Sequence, residues 1–257
     1  MQKRKTNLYD SRSPYPFRVS RSKIDFFLEC PQCFYLDRKL GIVRPSIPGY
    51  TLNMAVDALL KKEFDNLREE KKPHKLMVYF KIDAIPFWHP DFHIWRDDVN
   101  QKIGASILHK ETNLEICGII DDMWINTKTN QLHIVDYKST STEYPISLDG
   151  EYKEGYKRQM EIYQWIFKKK GFDVSDIGYF FYVNATKKRL EFNSKLEFET
   201  VIIPHKGDNA WVESAIFKIK KCLDSNEIPP SGQNCQHCAY RKHIDNEGLK
   251  TQTSLIK

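Results

Sequence analysis

With 257 residues, 40% of them apolar and 13% aromatic, the chain can bury a core of its own, which excludes the disordered and fibrous classes. A net charge of +6 and a pI near 8.8 permit a polyanionic partner without requiring one, because the lysines are spread along the sequence. No stretch approaches the roughly 18 uninterrupted apolar residues of a membrane span, and the basic start MQKRKTNLYDSRSPYPFRVS leads into no apolar run, so a soluble, cytoplasmic protein with no membrane partner is expected.

There is no internal repeat, and the Pro-rich turns RPSIPGY (44–50) and EIPPSGQ (227–233) separate elements rather than domains. One domain over 1–257 is expected, with a flexible 1–19, cysteine-bearing segments at 20–40 and 225–245, and a core at 50–224. Ser20 or Ser22 can cap a first helix carrying Ile24, Phe27 and Leu28, which Pro31 interrupts. Residues 52–69 read as a helix with Val56, Leu60, Phe64 and Leu67 on one stripe. KLMVYFKI (75–82) reads as a strand, followed by an aromatic, proline-bearing loop, IPFWHPDFHIW. LEICGIIDDMWIN (114–126) and LHIVDYKST (132–140), joined by the turn TKTNQ, form a hairpin pattern. A helix over 151–170, strands at 177–184 and 196–204, and an amphipathic helix over 211–223 complete a mixed α/β order.

The hairpin carries the chemistry. If its arms pair around residues 128 and 129, Asp121 and Asp136 fall almost opposite one another, within reach of a shared cation. Mg²⁺ takes hard oxygen ligands and commonly only one or two protein carboxylates. Lys138 shares a strand face with Asp136 and can offset developing negative charge or orient a water. The rival reading of Asp136 and Lys138 is a surface ion pair worth under about 1 kcal/mol. On the next helix Gln159 and Tyr163 are four apart on one face, although Tyr163 also fits the core stripe of Met160, Ile166 and Phe167. Lys153, Lys157 and Arg158 give that helix a basic character suited to a phosphate backbone or simply to water.

Four of the six cysteines fall in two CxxC pairs, Cys30 with Cys33 and Cys235 with Cys238, a spacing that suits tetrahedral thiolate coordination in a reducing compartment. A shared metal would staple the N- and C-terminal segments and be structural. Ligand type leaves Zn²⁺ and a [4Fe–4S] cluster both open. His237 or His243 would enter only by breaking the symmetric pattern, and Cys117 and Cys222 read as small core residues.

Gly118-x-x-Asp121, Asp136-Tyr137-Lys138 and Gln159-x-x-x-Tyr163, in this order and after the opening SRSKIDFFLECPQCFYL (20–36), resemble the PD-(D/E)XK nuclease superfamily and, within it, the RecB-like nucleases. The resemblance implies a restriction-endonuclease-like core, a mixed β-sheet flanked by helices. Asp121 and Asp136 would bind Mg²⁺ or Mn²⁺, joined by the Tyr137 carbonyl, with Lys138 as the catalytic lysine. Gln159, Tyr163 and Arg158 would position DNA. Where that family usually brings a His from a Gly-x-x-x-His helix, NMAVDALLK has Asp57, either a third metal carboxylate or a salt-bridged flank residue. RecB-like nucleases often hold an iron–sulfur cluster with one early and three late cysteines, whereas this chain has two and two, which keeps zinc a rival. The implied function is metal-dependent hydrolysis of DNA in repair, recombination or defence, with a helicase or other DNA-processing protein as candidate partner. The alternative is a catalytically inactive nucleic-acid-binding protein on the same fold.

Overall fold

A computed structural model describes residues 4–45, 49–96, 104–150 and 153–254. The chain divides into two compact units, one of Met1–Ile47, Leu108–Glu115 and Glu213–Lys257, the other of Pro48–Ile107 and Ile116–Val212. Among the described residues, no helix is long and apolar enough to cross a membrane.

The second unit is built on a five-stranded sheet in the order β2-β5-β6-β7-β8: Ala84–Pro86, Asp122–Asn126, Leu132–Thr140, Ile177–Ala185 and Phe198–Lys206. All neighbours are antiparallel except β6 and β7, which run parallel and are linked by the crossover helix α6 (Glu154–Lys169). The hairpin register pairs Asp122 with Val135 and Met123 with Ile134, the register the sequence predicts. Its turn is set by Asn126, whose side chain accepts from the Lys128 and Thr129 amides at 2.9 and 3.0 Å. Helix α3 (Thr51–Glu70) packs Leu60 and Phe64 into a core with Trp124, Val135, Tyr137, Phe181, Val183 and Ile202, where the Phe64 and Trp124 rings stack 5.6 Å apart. Helix α6 buries Met160, Ile162, Tyr163, Ile166 and Phe167.

Three readings need correction. Residues 75–79 form a short helix, α4 (Lys75–Tyr79), in place of the expected strand. His74 Nδ1 accepts the Leu76 amide at 3.2 Å and caps its start, while Leu76 and Met77 favour helix over strand. The aromatic loop is partly regular: it contributes to β2, whose edge position tolerates Pro86, and to α5 (Phe92–Arg96). The expected continuous strand over 114–126 is two, β4 (Leu114–Gly118) and β5, with residues 119–121 between them. A three-stranded sheet has the order β1-β4-β3, with β1 at Phe17–Ser20 and β3 at Ala105–His109. Part of the 1–19 segment is therefore a strand. The middle of the 44–50 turn and the expected helix start at 151–152 lie outside the described residues.

In the first unit, α1 (Arg21–Glu29) and α2 (Pro31–Arg38) follow one another directly. Pro31 ends the first and opens the second, occupying a first-turn position where its missing N–H costs nothing. Helix α7 (Ala210–Asp224) lies two residues from its expected limits or closer, and α8 (Gln236–Ser254), which no apolar stripe announces, begins beside Cys235.

Candidate active site

Successive residues of a strand face opposite sides, and this alternation sorts the charged residues of the hairpin into two groups. On one side stand Asp136 and Lys138; the other carries Tyr137 and Asp122, whose carboxylate accepts the Tyr137 hydroxyl at 2.6 Å and pairs with Arg68 of α3. Asp121 stands at the edge of β5, where its Oδ2 accepts the Tyr137 amide at 2.8 Å and is thereby drawn to β6 beside Asp136.

Each element contributes one restraint. The Gln159 amide of α6 donates to Asp136 Oδ1 at 2.6 Å and fixes that carboxylate, which is fully buried. Asp136 Oδ2 lies in an ion pair with Lys138 and accepts no hydrogen bond from the described residues. The Lys138 ammonium also sits 4.7 Å above the Tyr156 ring, one turn before Gln159. Tyr163 donates its hydroxyl to the Ile119 carbonyl at 2.6 Å, and its ring lies against the bare Cα of Gly118. A side chain at 118 would overlap Tyr163 Cε1, so the Gly and the Tyr form one device beside the 119–121 break that leads to Asp121.

Burial and then the Asp136 charge push the Asp121 carboxyl up to about 7, against the opposing pull of Lys138, Lys61 and the Tyr137 amide. Hard oxygen donors on β6 and in the break before β5, one of them a buried oxygen accepting no hydrogen bond from the described residues, fit Mg²⁺ or Mn²⁺.

The remaining predicted residues are placed as follows. Asp57 is half-buried on α3 and paired with Lys61 at 2.9 Å. It does not join Asp121 and Asp136 in a close cluster: among the described residues, the only group of three or more metal-type ligands within 4.8 Å of one another is Cys30, Cys33, Cys235 and Cys238. Arg158 is half-buried on α6, while the Gln159 amide donates to Asp136 and the Tyr163 hydroxyl to the Ile119 carbonyl. Cys117 is buried and Cys222 half-buried.

Sequence reasoning missed the ion network under the site. Arg68 is buried, donates to the Phe87 carbonyl at 2.6 Å and pairs with Asp65 and Asp122, while Arg96 holds Asp65 at 2.6 Å. Its signal was available: Leu60, Phe64 and Arg68 are spaced by four on the buried stripe, and an arginine there requires a buried carboxylate. The second Asp of GIIDD supplies it.

A model of the PD-(D/E)XK nuclease superfamily matches residues 18–243. The chain belongs to that superfamily. A search of curated proteins gives no match. Membership accounts for the mixed sheet flanked by helices and points to a nuclease, in a superfamily whose members usually use Mg²⁺ or Mn²⁺.

Proposed function

We propose that the protein is a metal-dependent deoxyribonuclease of the RecB-like kind, acting in the cytoplasm on DNA during repair, recombination or defence, with a helicase or another DNA-processing protein as partner. The observation that carries this reading is the meeting of Asp121 and Asp136 beside Lys138 on the β5–β6 hairpin, each held by a separate hydrogen bond. A protein that only bound nucleic acid would gain nothing from two carboxylates aimed at a phosphate.

Asp121 and Asp136 would hold Mg²⁺ or Mn²⁺. When bound, the ion supplies a water of lowered pKa and a charge opposite the scissile phosphate. Gln159 keeps Asp136 from rotating, and the Tyr137 amide does the same for Asp121, so neither carboxylate need reorganise when substrate arrives. The Lys138 ammonium, set over Tyr156, releases from Asp136 toward the negative charge that develops on the phosphate oxygens.

The test is cleavage of labelled single- and double-stranded DNA with Mg²⁺ or Mn²⁺ by the full chain and by Asp136→Ala and Lys138→Ala. Metal-dependent cutting lost in both folded variants is the expected result. A folded wild type that cuts neither substrate yet retains salt-dependent DNA affinity would replace the nuclease with the silent binder.

A further inference from the structure

The sulfurs of the first unit lie too close for a cluster. Cys30 Sγ is 3.7 Å from Cys238 Sγ, and Cys33 Sγ is 3.8 Å from Cys235 and 3.4 Å from Cys238, while all four lie within 4.8 Å of one another and none is in a disulfide. One tetrahedral ion with bonds of about 2.3 Å sets its four sulfurs about 3.8 Å apart. A [4Fe–4S] cube binds each thiolate through a different iron and spreads the sulfurs to roughly 6 Å. We infer that Cys30, Cys33, Cys235 and Cys238 hold a single tetrahedral divalent ion of the size of Zn²⁺, and that a [4Fe–4S] cluster does not fit.

The surrounding backbone keeps the cage at this size. Cys30 is fully buried at the start of α2, and its Sγ accepts the Cys33 amide at 3.5 Å and the Gly232 amide at 3.2 Å. Gly232 approaches the end of α1 so closely that a Cβ there would overlap the Glu29 carbonyl oxygen and lie 3.1 Å from the Cys30 Cα. Gly232 thus holds Cys30 Sγ from one side while the Cys33 amide holds it from the other. The cage also has its counter-charge. Four thiolates around a divalent ion carry two net negative charges, and Arg44 answers them by donating from Nη2 to Cys235 Sγ at 3.1 Å while its guanidinium lies 4.3 Å over the Phe26 ring. None of this depends on nuclease activity.

The experiment is the metal, sulfide and visible-absorption analysis of the full chain purified without oxygen. The expected result is about one zinc per chain, no iron, no acid-labile sulfide and no colour. Exchange with Co²⁺ should then give the visible ligand-field bands of a tetrahedral thiolate site, absent in Cys235→Ser. Gly232→Ala should lose its zinc to a chelator that leaves the wild type loaded. If either variant fails to fold, the wild-type metal count and cobalt spectrum still decide. Four irons with sulfide per chain, or a folded metal-free protein whose four thiols titrate freely, would overturn the inference.

Discussion

Gly118→Ala tests the link between the nuclease motif and the fold that carries it. The added methyl would overlap Tyr163 Cε1 and come within 3.2 Å of Cδ1, where carbons normally rest about 3.5–4.0 Å apart. Tyr163 cannot swing aside freely, because it is buried and its hydroxyl is committed to Ile119. Overpacking of this kind costs about 1–3 kcal/mol. Losing the hydroxyl bond adds about 1 kcal/mol, and the better strand propensity of Ala returns about 0.5–1 kcal/mol. The net expectation is a loss of about 2 kcal/mol, read by urea unfolding. Truncating the ring should remove the conflict: Tyr163→Ala alone costs about 3–5 kcal/mol, but in that background Gly118→Ala should cost no more than a few tenths. A single variant within 0.5 kcal/mol of wild type, or additive costs in the double variant, would refute the claim that the two residues form one device.

Other expectations follow from the same geometry. Arg68→Met strands the buried Asp122 carboxylate and should cost about 3–5 kcal/mol, with much of the loss recovered in Arg68→Met/Asp122→Leu; an uncorrected double variant in thermal melts would argue against a shared ion pair. Gln159→Leu should raise the Mg²⁺ concentration needed for half-maximal cleavage while leaving DNA affinity in Ca²⁺ unchanged, because its amide serves Asp136; weakened DNA binding with an unaltered metal requirement would put Gln159 on the substrate instead. Burial holds the imidazole of His133 below its ordinary value of 6.5, against the pull of the Ile177 carbonyl, which accepts its Nδ1–H at 2.7 Å. The unfolded chain therefore binds the proton more readily: stability from this group is full above about pH 6.5 and declines as pH falls below it. His133→Gln should flatten the stability profile between pH 6.5 and 5, and an unchanged slope would show that another group controls it.

The hairpin was legible because both of its signals are local. The β-rich run from Leu132 to Thr140 marks the strand, and the turn chemistry of Asn126 to Asn130 fixes where the arms meet, so the observed register of Asp122 with Val135, which brings Asp121 toward Asp136, follows by counting. Helices α3 and α6 were legible through their apolar stripes. Residues 75–79 were not, since five residues are too few for a period and the deciding contact is a cap from His74. Helix α8 has no stripe to detect. Nor did the spacing of Gln159 and Tyr163 disclose the hydrogen bonds they make to Asp136 and Ile119; the second depends on the crossover helix meeting the strand break at Gly118, a contact between residues more than forty positions apart. Arg68 is readable only in principle, because the stripe of Val56, Leu60, Phe64 and Leu67 is complete without it and its partner Asp122 is fifty-four positions away.

The separation of the two cysteine pairs has a consequence for synthesis. Cys33 and Cys235 are 202 positions apart, and at about 5–20 residues per second the first pair leaves the ribosome about 10–40 s before the second. The unit bearing the hairpin is complete by Val212, so its sheet can close while Cys30 and Cys33 still wait as open thiols. With the four cysteines holding an ion as inferred above, a newborn chain would pass through an interval in which its sheet can form while Cys30 and Cys33 remain open to oxidants and stray metals, and the supply of the ion would set how that interval ends.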